Sequence, residues 1–348
     1  MKQLYQMSDA AEKVNLSVEF SPVWETILGI SGFTHEKLRH TFDLDEKWAL
    51  EEAKMSGVLR GHLKTIEMTN FWYALIMLQD DLSSPTIQDF SHSLADMTAS
   101  KFYKILLPYK NRESEPLRRE TLRDFHDPEA FEKYAVIFKD HEYLGEYTRF
   151  LGKYSFEEIC DLLIEVLNGW HQWVSQFEEW EKWIQALEFE QKQYSSLKVD
   201  NPIEQIEQIT NGIIYTPEPS VWNVKLVPHV SYRPWVLTFR SPETKIFFYP
   251  INEDCLLDTG VPSNHLIKGH KALGDDLRLR LLYQLVKGPL SLQDLSSQFN
   301  ISKTTLHHQL SLLKAAKFIK AEKGIYYADI NQIQTFSGLL TEYLGGQI

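Results

Sequence analysis

Side chains that hydrogen-bond bases and phosphates cluster near the C-terminus of the chain. A helix predicted over residues 302–316 buries a leucine stripe and exposes the opposite face, because its leucines recur at steps of three and four. Hydroxyls and imidazoles on the exposed face could contact base edges, while the lysines and the first-turn amides could contact phosphates. We predict that the contacting residues of this helix are Ser302, Lys303, Thr304, Thr305, His307, His308, Ser311 and Lys314.

Further elements must hold this helix in place. Capping and periodicity predict three helices before it, over 266–273, 275–286 and 291–300, then two strands over 318–322 and 325–330, and a last helix over 332–344. This order is typical of a winged helix-turn-helix, in which the second helix of the turn enters a major groove. The strands would form a wing that contacts DNA through Lys320, Lys323 and Tyr326.

Three segments of this region carry a family resemblance. Residues 271–285 (KALGDDLRLRLLYQL), 288–296 (GPLSLQDLS) and 301–319 (ISKTTLHHQLSLLKAAKFI) resemble the ArsR/SmtB-type winged-helix repressors of bacteria. The resemblance implies that Ser302 to Leu310 reads DNA and that the first and last helices of the domain form a dimer interface. The implied partner is a double-stranded DNA operator, roughly palindromic, bound by a homodimer.

The resemblance has departures where the metal-sensing relatives place their ligands. The segment 290–295 (LSLQDL) lacks the cysteines that such sensors carry at the start of the third helix, and residues 331–348 lack histidine. We therefore expect no metal and no cofactor. The two cysteines, Cys160 and Cys255, lie far apart and outside any CxxC, which excludes a cysteine-ligated zinc site.

The chain before the winged helix-turn-helix is predicted to form a separate domain. Residues 1–212 are predicted to form a helical N-terminal domain, whose last helix starts at a capping box and continues, after a bend near Gly169, along an aromatic stripe. The stripe is either packed core, a dimer seam, or a ligand pocket for a hydrophobic small-molecule effector. The candidate pocket residues are Trp170, Trp173, Phe177 and Trp180.

A short proline-rich region separates the two parts. Residues 213–262 are predicted to hold a small antiparallel β segment and a linker, and residues 263–348 the winged helix-turn-helix. The fold class is therefore α+β and mostly helical. The motif Phe20-Ser-Pro-Val-Trp24 and the β segment resemble larger ArsR-like regulators that carry an extra N-terminal domain of unassigned function.

The charge is unevenly distributed. The chain of 348 residues has a net charge of −12, from 36 basic and 48 acidic side chains, which by itself argues against binding DNA. Residues 265–348, however, hold 10 basic and 6 acidic side chains, a net +4, and residues 1–264 hold the remaining −16 and all nine tryptophans. With no apolar leader or run of 18 apolar residues, we expect a cytoplasmic protein that does not enter a membrane.

These observations favour a bacterial ArsR-like DNA-binding transcriptional regulator. Its N-terminal domain would sense a ligand, a small molecule rather than a metal, or mediate assembly. The sequence contains no GxGxxG, GxSxG or HExxH motif, so we expect that the protein is not an enzyme. Two alternatives stay open: an enzyme with the winged helix as a targeting module, and a protein-interaction scaffold whose winged helix binds protein.

Overall fold

The computed structural model describes residues 14–35, 37–195, 201–252, 256, 261–322 and 324–344. The chain divides into two compact units, Met1–Ile251 and Asn252–Ile348. The fold is 61% helical with small sheets, which confirms the prediction of a mostly helical α+β class. The β segment predicted between the two domains belongs to the first unit, because its strands pair with a strand near the N-terminus.

The first unit combines a series of helices with one sheet. Short 3-10 turns at Arg39–Thr41, Glu52–Lys54 and Val136–Phe138 interrupt its helical part. Its elements, in chain order, are β1 (Asn15–Val18), α1 (Pro22–Phe33), α2 (Asp45–Glu51), α3 (Gly57–Thr69), α4 (Trp72–Leu82), α5 (Ile87–Ala95), α6 (Ala99–Leu106), α7 (Glu115–Arg123), α8 (Pro128–Ala135), α9 (Leu144–Leu151), α10 (Phe156–Val174), α11 (Trp180–Ser195), α12 (Pro202–Ile209), β2 (Asn223–His229), β3 (Leu237–Arg240) and β4 (Thr244–Pro250).

The sheet of the first unit is mixed, in the order β1-β2-β4-β3. Strand β2 pairs in parallel with both β1 and β4, and β3 alone is antiparallel, to β4. Among the three predicted strands, the antiparallel pairing is confirmed for β3 and β4 and wrong for β2, which pairs in parallel with β4; strand β1 was not predicted. The loop after β2 is held against α1, whose buried Glu25 accepts hydrogen bonds from the backbone N–H groups of Val230 (3.1 Å) and Ser231 (2.7 Å). These bonds turn the chain away from the sheet after β2. The next strand, β3, therefore does not pair with β2, and β4 lies beside β2 instead.

The predicted long aromatic helix is two helices. Helix α10 ends at Val174, with Ser175 as its C-cap, and α11 begins at Trp180. The bend expected at Gly169 is absent from α10, which runs unbroken through that position. Gly169 instead lies against α3, since a Cβ there would be 3.2 Å from Leu59 Cδ1. A Cβ at residue 169 would require the Leu59 side chain to move by a few tenths of an ångström.

The second unit has the predicted order of elements. They are α13 (Asn264–Leu273), α14 (Asp276–Lys287), β5 (Leu290–Ser291), α15 (Leu292–Phe299), α16 (Lys303–Ala315), β6 (Ile319–Glu322), β7 (Ile325–Ala328) and α17 (Ile330–Tyr343). The two-residue strand β5, which was not predicted, pairs with β7 and makes a three-stranded sheet in the order β5-β7-β6. Leucines of α14, α15 and α16 form the core, with Leu281, Leu295 and Leu306 fully buried.

Candidate nucleic-acid interface

A tight turn sets the angle between α15 and α16. Helix α15 begins at a capping box of Ser291 and Asp294 and ends at Asn300, whose φ of 51° lies in the left-handed region. Asparagine tolerates that conformation better than most residues, which allows the chain to reverse within the turn. Ser296 fixes the turn from both sides: its hydroxyl donates to the Ile301 carbonyl (2.7 Å), and its carbonyl accepts from the Ile301 N–H (3.3 Å).

Helix α16 has two distinct faces. Leu306, Leu310 and Leu313 are at most 1% exposed and attach the helix to the core of the second unit. The opposite face is in solvent, and the predicted contacting residues of α16 all lie there: Ser302, Lys303, Thr304, Thr305, His307, His308, Ser311 and Lys314. The structure therefore places these eight residues on one accessible surface, which we call the α16 face.

Hydrogen bonds divide the α16 face into engaged and available groups. The Ser302 hydroxyl accepts from the Thr305 N–H as the N-cap, and the two hydroxyls lie 2.9 Å apart. The Ser311 hydroxyl donates to the His307 carbonyl (2.7 Å), so only its lone pairs point outward. Within the described residues, the side chains of Thr304 and His308 make no hydrogen bond. These two, together with His307, whose side chain likewise makes no hydrogen bond among the described residues, are the side chains best able to contact a base edge.

Arg278 is a positioning residue that sequence reasoning missed. Its guanidinium donates to the carbonyls of Ala272 (2.7 Å) and Lys271 (2.8 Å), at the end of α13, and to Gln309 Oε1 of α16 (2.7 Å). One side chain thus ties α13, α14 and α16 together. The sequence gives little indication of this role, because an arginine three residues after the N-cap Asp275 is an ordinary residue for the first turn of a helix.

The wing is less available than predicted. In the hairpin of β6 and β7, the Lys320 ammonium lies 2.9 Å from the Asp329 carboxylate, whose side chain is 10% exposed. Tyr326 is half-buried and packs against the core of the second unit. The third predicted wing residue, Lys323, lies outside the described residues. If Lys320 contacts a DNA phosphate, its ammonium would therefore have to interact with both the phosphate and the Asp329 carboxylate.

The aromatic stripe of the first unit is packed into a glycine groove. Helix α1 lacks side chains at Gly29 and Gly32, and Cβ atoms there would lie 2.7 Å from Trp170 Nε1 and 3.1 Å from the Trp48 ring. Trp170 is fully buried, and its ring centroid is 4.9 Å from that of Trp173. Phe177 and Trp180, at 5% and 4% exposed, extend the packing. The stripe therefore fills space between helices, and the cavity described below lies among other residues.

Two other classes of site are absent from the part of the chain that the structure describes. In the described ranges, no group of three or more histidine, cysteine, aspartate or glutamate side chains is arranged to hold a metal ion. None of the helices described is both long enough and apolar enough to cross a membrane.

Comparison with known proteins supports the geometry of the second unit. Residues 275–321, from the N-cap of α14 to the middle of β6, match the family model described as bacterial regulatory protein, arsR family. No curated protein and no solved structure matches the chain. The large N-terminal region has no family assigned.

Proposed function

We propose that this chain, whose second unit carries a DNA-binding helix-turn-helix of the ArsR family, is a transcription regulator that binds its operator as a homodimer. The α16 face supports the proposal, because it is polar and free of acidic side chains. The Ser296 turn and the bond from Arg278 to the Gln309 side chain hold its helix in place. Leu312, which is 38% exposed on the same helix, provides too little apolar surface for the centre of a protein interface.

Two copies are needed because one unit is weakly charged. The +4 of residues 265–348 releases few counterions from DNA, so a single winged helix would bind with modest affinity. Two linked copies raise affinity through effective concentration and read two half-sites about one helical turn apart. Sedimentation of the free protein should then give twice the 40.7 kDa of the chain.

The first unit supplies the regulation in this proposal. It binds a small molecule, and the bound state changes operator affinity through the differential affinity of the ligand for two dimer arrangements. We assign it no catalytic step. The alternative, in which the second unit only mediates protein assembly, predicts an interaction that does not depend on the salt concentration.

The experiment is DNA binding by the full-length chain. After selection of bound duplexes from a random pool, fluorescence anisotropy would give the affinity for selected and scrambled duplexes across salt. Thr304→Ala and His308→Ala should reduce the preference for the selected sequence by roughly fivefold to 100-fold. Lys314→Met should weaken both duplexes alike and lower the salt slope.

Lys133→Met is the matched control, since it removes an exposed lysine of α8 in the first unit. It should leave both affinities unchanged. Binding of selected and scrambled duplexes with equal affinity, or a preference that survives both substitutions on the α16 face, would overturn the proposal.

A further inference from the structure

A cavity of about 410 Å³ opens in the first unit between segments that are far apart in sequence. Its lining comes from α4, the segment after α6, the turn before α9, the start of α9, and strand β3. The residues that matter to its chemistry are Tyr73, Tyr109, Lys110, His141, Tyr143 and Phe239. The volume is within the range of about 300–1,000 Å³ that small-molecule sites occupy.

One wall of the cavity is aromatic and fixed. The ring centroid of Tyr73 lies 5.7 Å from that of Tyr143 and 5.4 Å from that of Phe239. Behind this wall, Tyr147 is fully buried, and its ring centroid lies 5.2 Å from that of Tyr73. The planes of the Tyr143 and Phe239 rings are tilted by 55° and 49° to that of Tyr73, so the wall is an apolar surface of inclined rings. Such a surface can pack a planar aromatic ring edge-to-face.

The same wall contains an unused hydrogen-bond donor. Tyr73 is 7% exposed, and within the described residues its hydroxyl makes no hydrogen bond. Burial raises the pKa of this phenol far above its ordinary value, so it keeps its proton and can only gain from an acceptor. The hydroxyl oxygen is open to the cavity rather than sealed in the core, so a ligand oxygen would replace water as its acceptor.

The mouth of the cavity carries an unneutralised cation. The Lys110 ammonium donates to the Ile137 carbonyl but forms no ion pair among the described residues. Arg240, by contrast, is neutralised by Glu218 at 2.7 Å. The acidic residue of the lining, Asp140, is exposed. The ammonium therefore retains donors and a charge that an anion could use.

His141 adds a neutral donor beside that cation. Its Nδ1 accepts from the backbone N–H groups of Tyr143 and Leu144, both at 3.4 Å, so the ring proton is on Nε2. Burial lowers the pKa of this imidazole, the nearby Glu142 carboxylate raises it less, and the charge of Lys110 lowers it further. The ring is thus neutral at pH 7 and presents an N–H.

We propose that this cavity binds a small planar aromatic carboxylate. Its ring lies against Tyr73, Tyr143 and Phe239, and its carboxylate accepts from Lys110, with Tyr73 and His141 as further donors. The assignment of this ligand as the effector rests on the function proposed above, whereas binding itself does not require DNA.

The test is titration calorimetry of the full-length chain at pH 7.5 with 2-naphthoate and its neutral analogue 2-naphthamide. Naphthoate should bind at least tenfold more tightly than the amide. Lys110→Met should abolish this preference, and the matched control Lys133→Met should keep it. Phe239→Ala should weaken both compounds.

Equal affinities for the acid and the amide, a preference that persists in Lys110→Met, or no binding at millimolar concentration would each overturn the assignment. DNA binding, measured without the compound, separates this proposal from the previous one. A chain that binds selected DNA but not naphthoate overturns the cavity assignment alone. A chain that binds naphthoate through Lys110 but no DNA supports the cavity and overturns the regulator.

Discussion

The buried imidazole of His229 should make the first unit lose stability as the pH falls below 6.5. The ring ends β2 and is fully buried, and its two nitrogens make no hydrogen bond of good geometry among the described residues, although backbone groups of Phe248 and Trp235 lie nearby. Burial and, to a smaller extent, the charge of Arg233 lower its pKa to about 3; backbone groups of Phe248 and Trp235 oppose this only weakly. The folded unit therefore keeps the ring neutral under conditions where the unfolded chain protonates it.

The size of the effect follows from linkage. Between the folded pKa of about 3 and the ordinary value of 6.5, only the unfolded state takes up the proton, so the free energy of unfolding falls with pH. Each pH unit below 6.5 lowers the free energy of unfolding by about 1.4 kcal/mol. Lowering the pH from 8 to 5 therefore costs about 2 kcal/mol, and this figure is insensitive to the folded pKa as long as it is well below 5.

Urea unfolding followed by tryptophan fluorescence measures this loss, because all nine tryptophans lie in residues 1–251 and report the first unit alone. In His229→Leu the group that titrates is gone, so the drop between pH 8 and pH 5 should be about 2 kcal/mol smaller than in the parent. His92→Leu, which replaces an exposed histidine of α5, is the control and should keep the parental drop. Equal drops in the parent and in His229→Leu would refute the reasoning.

Four substitutions at three positions test the second unit, each read by hydrogen exchange of peptides from residues 264–344. Gly269→Ala should destabilise it by about 1–3 kcal/mol, because a Cβ there would lie 2.1 Å from Phe336 Cε2; unchanged exchange would show that the ring yields freely. Ser291→Ala should cost about 1 kcal/mol by removing the α15 cap, with faster exchange concentrated in that helix. Arg278→Met should loosen α16 and weaken operator binding, whereas the conservative Arg278→Lys should restore neither, since the contacts to Gln309 and α13 need a fork of donors.

The second unit could be predicted from sequence because its signals are local. The caps Ser291 and Ser302 each accept from a backbone N–H three residues on, within the reach of any sequence pattern. The leucine spacing of α16 likewise determines which side faces the core and which side is exposed. What the pattern could not show is which exposed hydroxyls are already used, since the Ser311 bond to the His307 carbonyl depends on rotamers.

The first unit resisted prediction because its key contacts are distant in sequence. Strand β1 is too short and isolated to reveal its partner, yet Asn15 hydrogen-bonds Asn223 across 208 residues. The end of α10 at Val174 carries no glycine or proline to mark it. The cavity joins Tyr73, Lys110, His141 and Phe239 from separate segments, and no spacing rule connects them.

The pairing of β1 with β2 also dictates an order of events during synthesis. At roughly 5–20 residues per second, the ribosome needs about 10–40 s to advance from one strand to the other. Throughout that interval β1 has no neighbour, and β2, once made, still waits for β4 on its other side. The helices between them emerge before the sheet that they will cover. A nascent chain halted before Thr244 would leave one edge of β2 unpaired, and a holding chaperone could protect that edge at this stage.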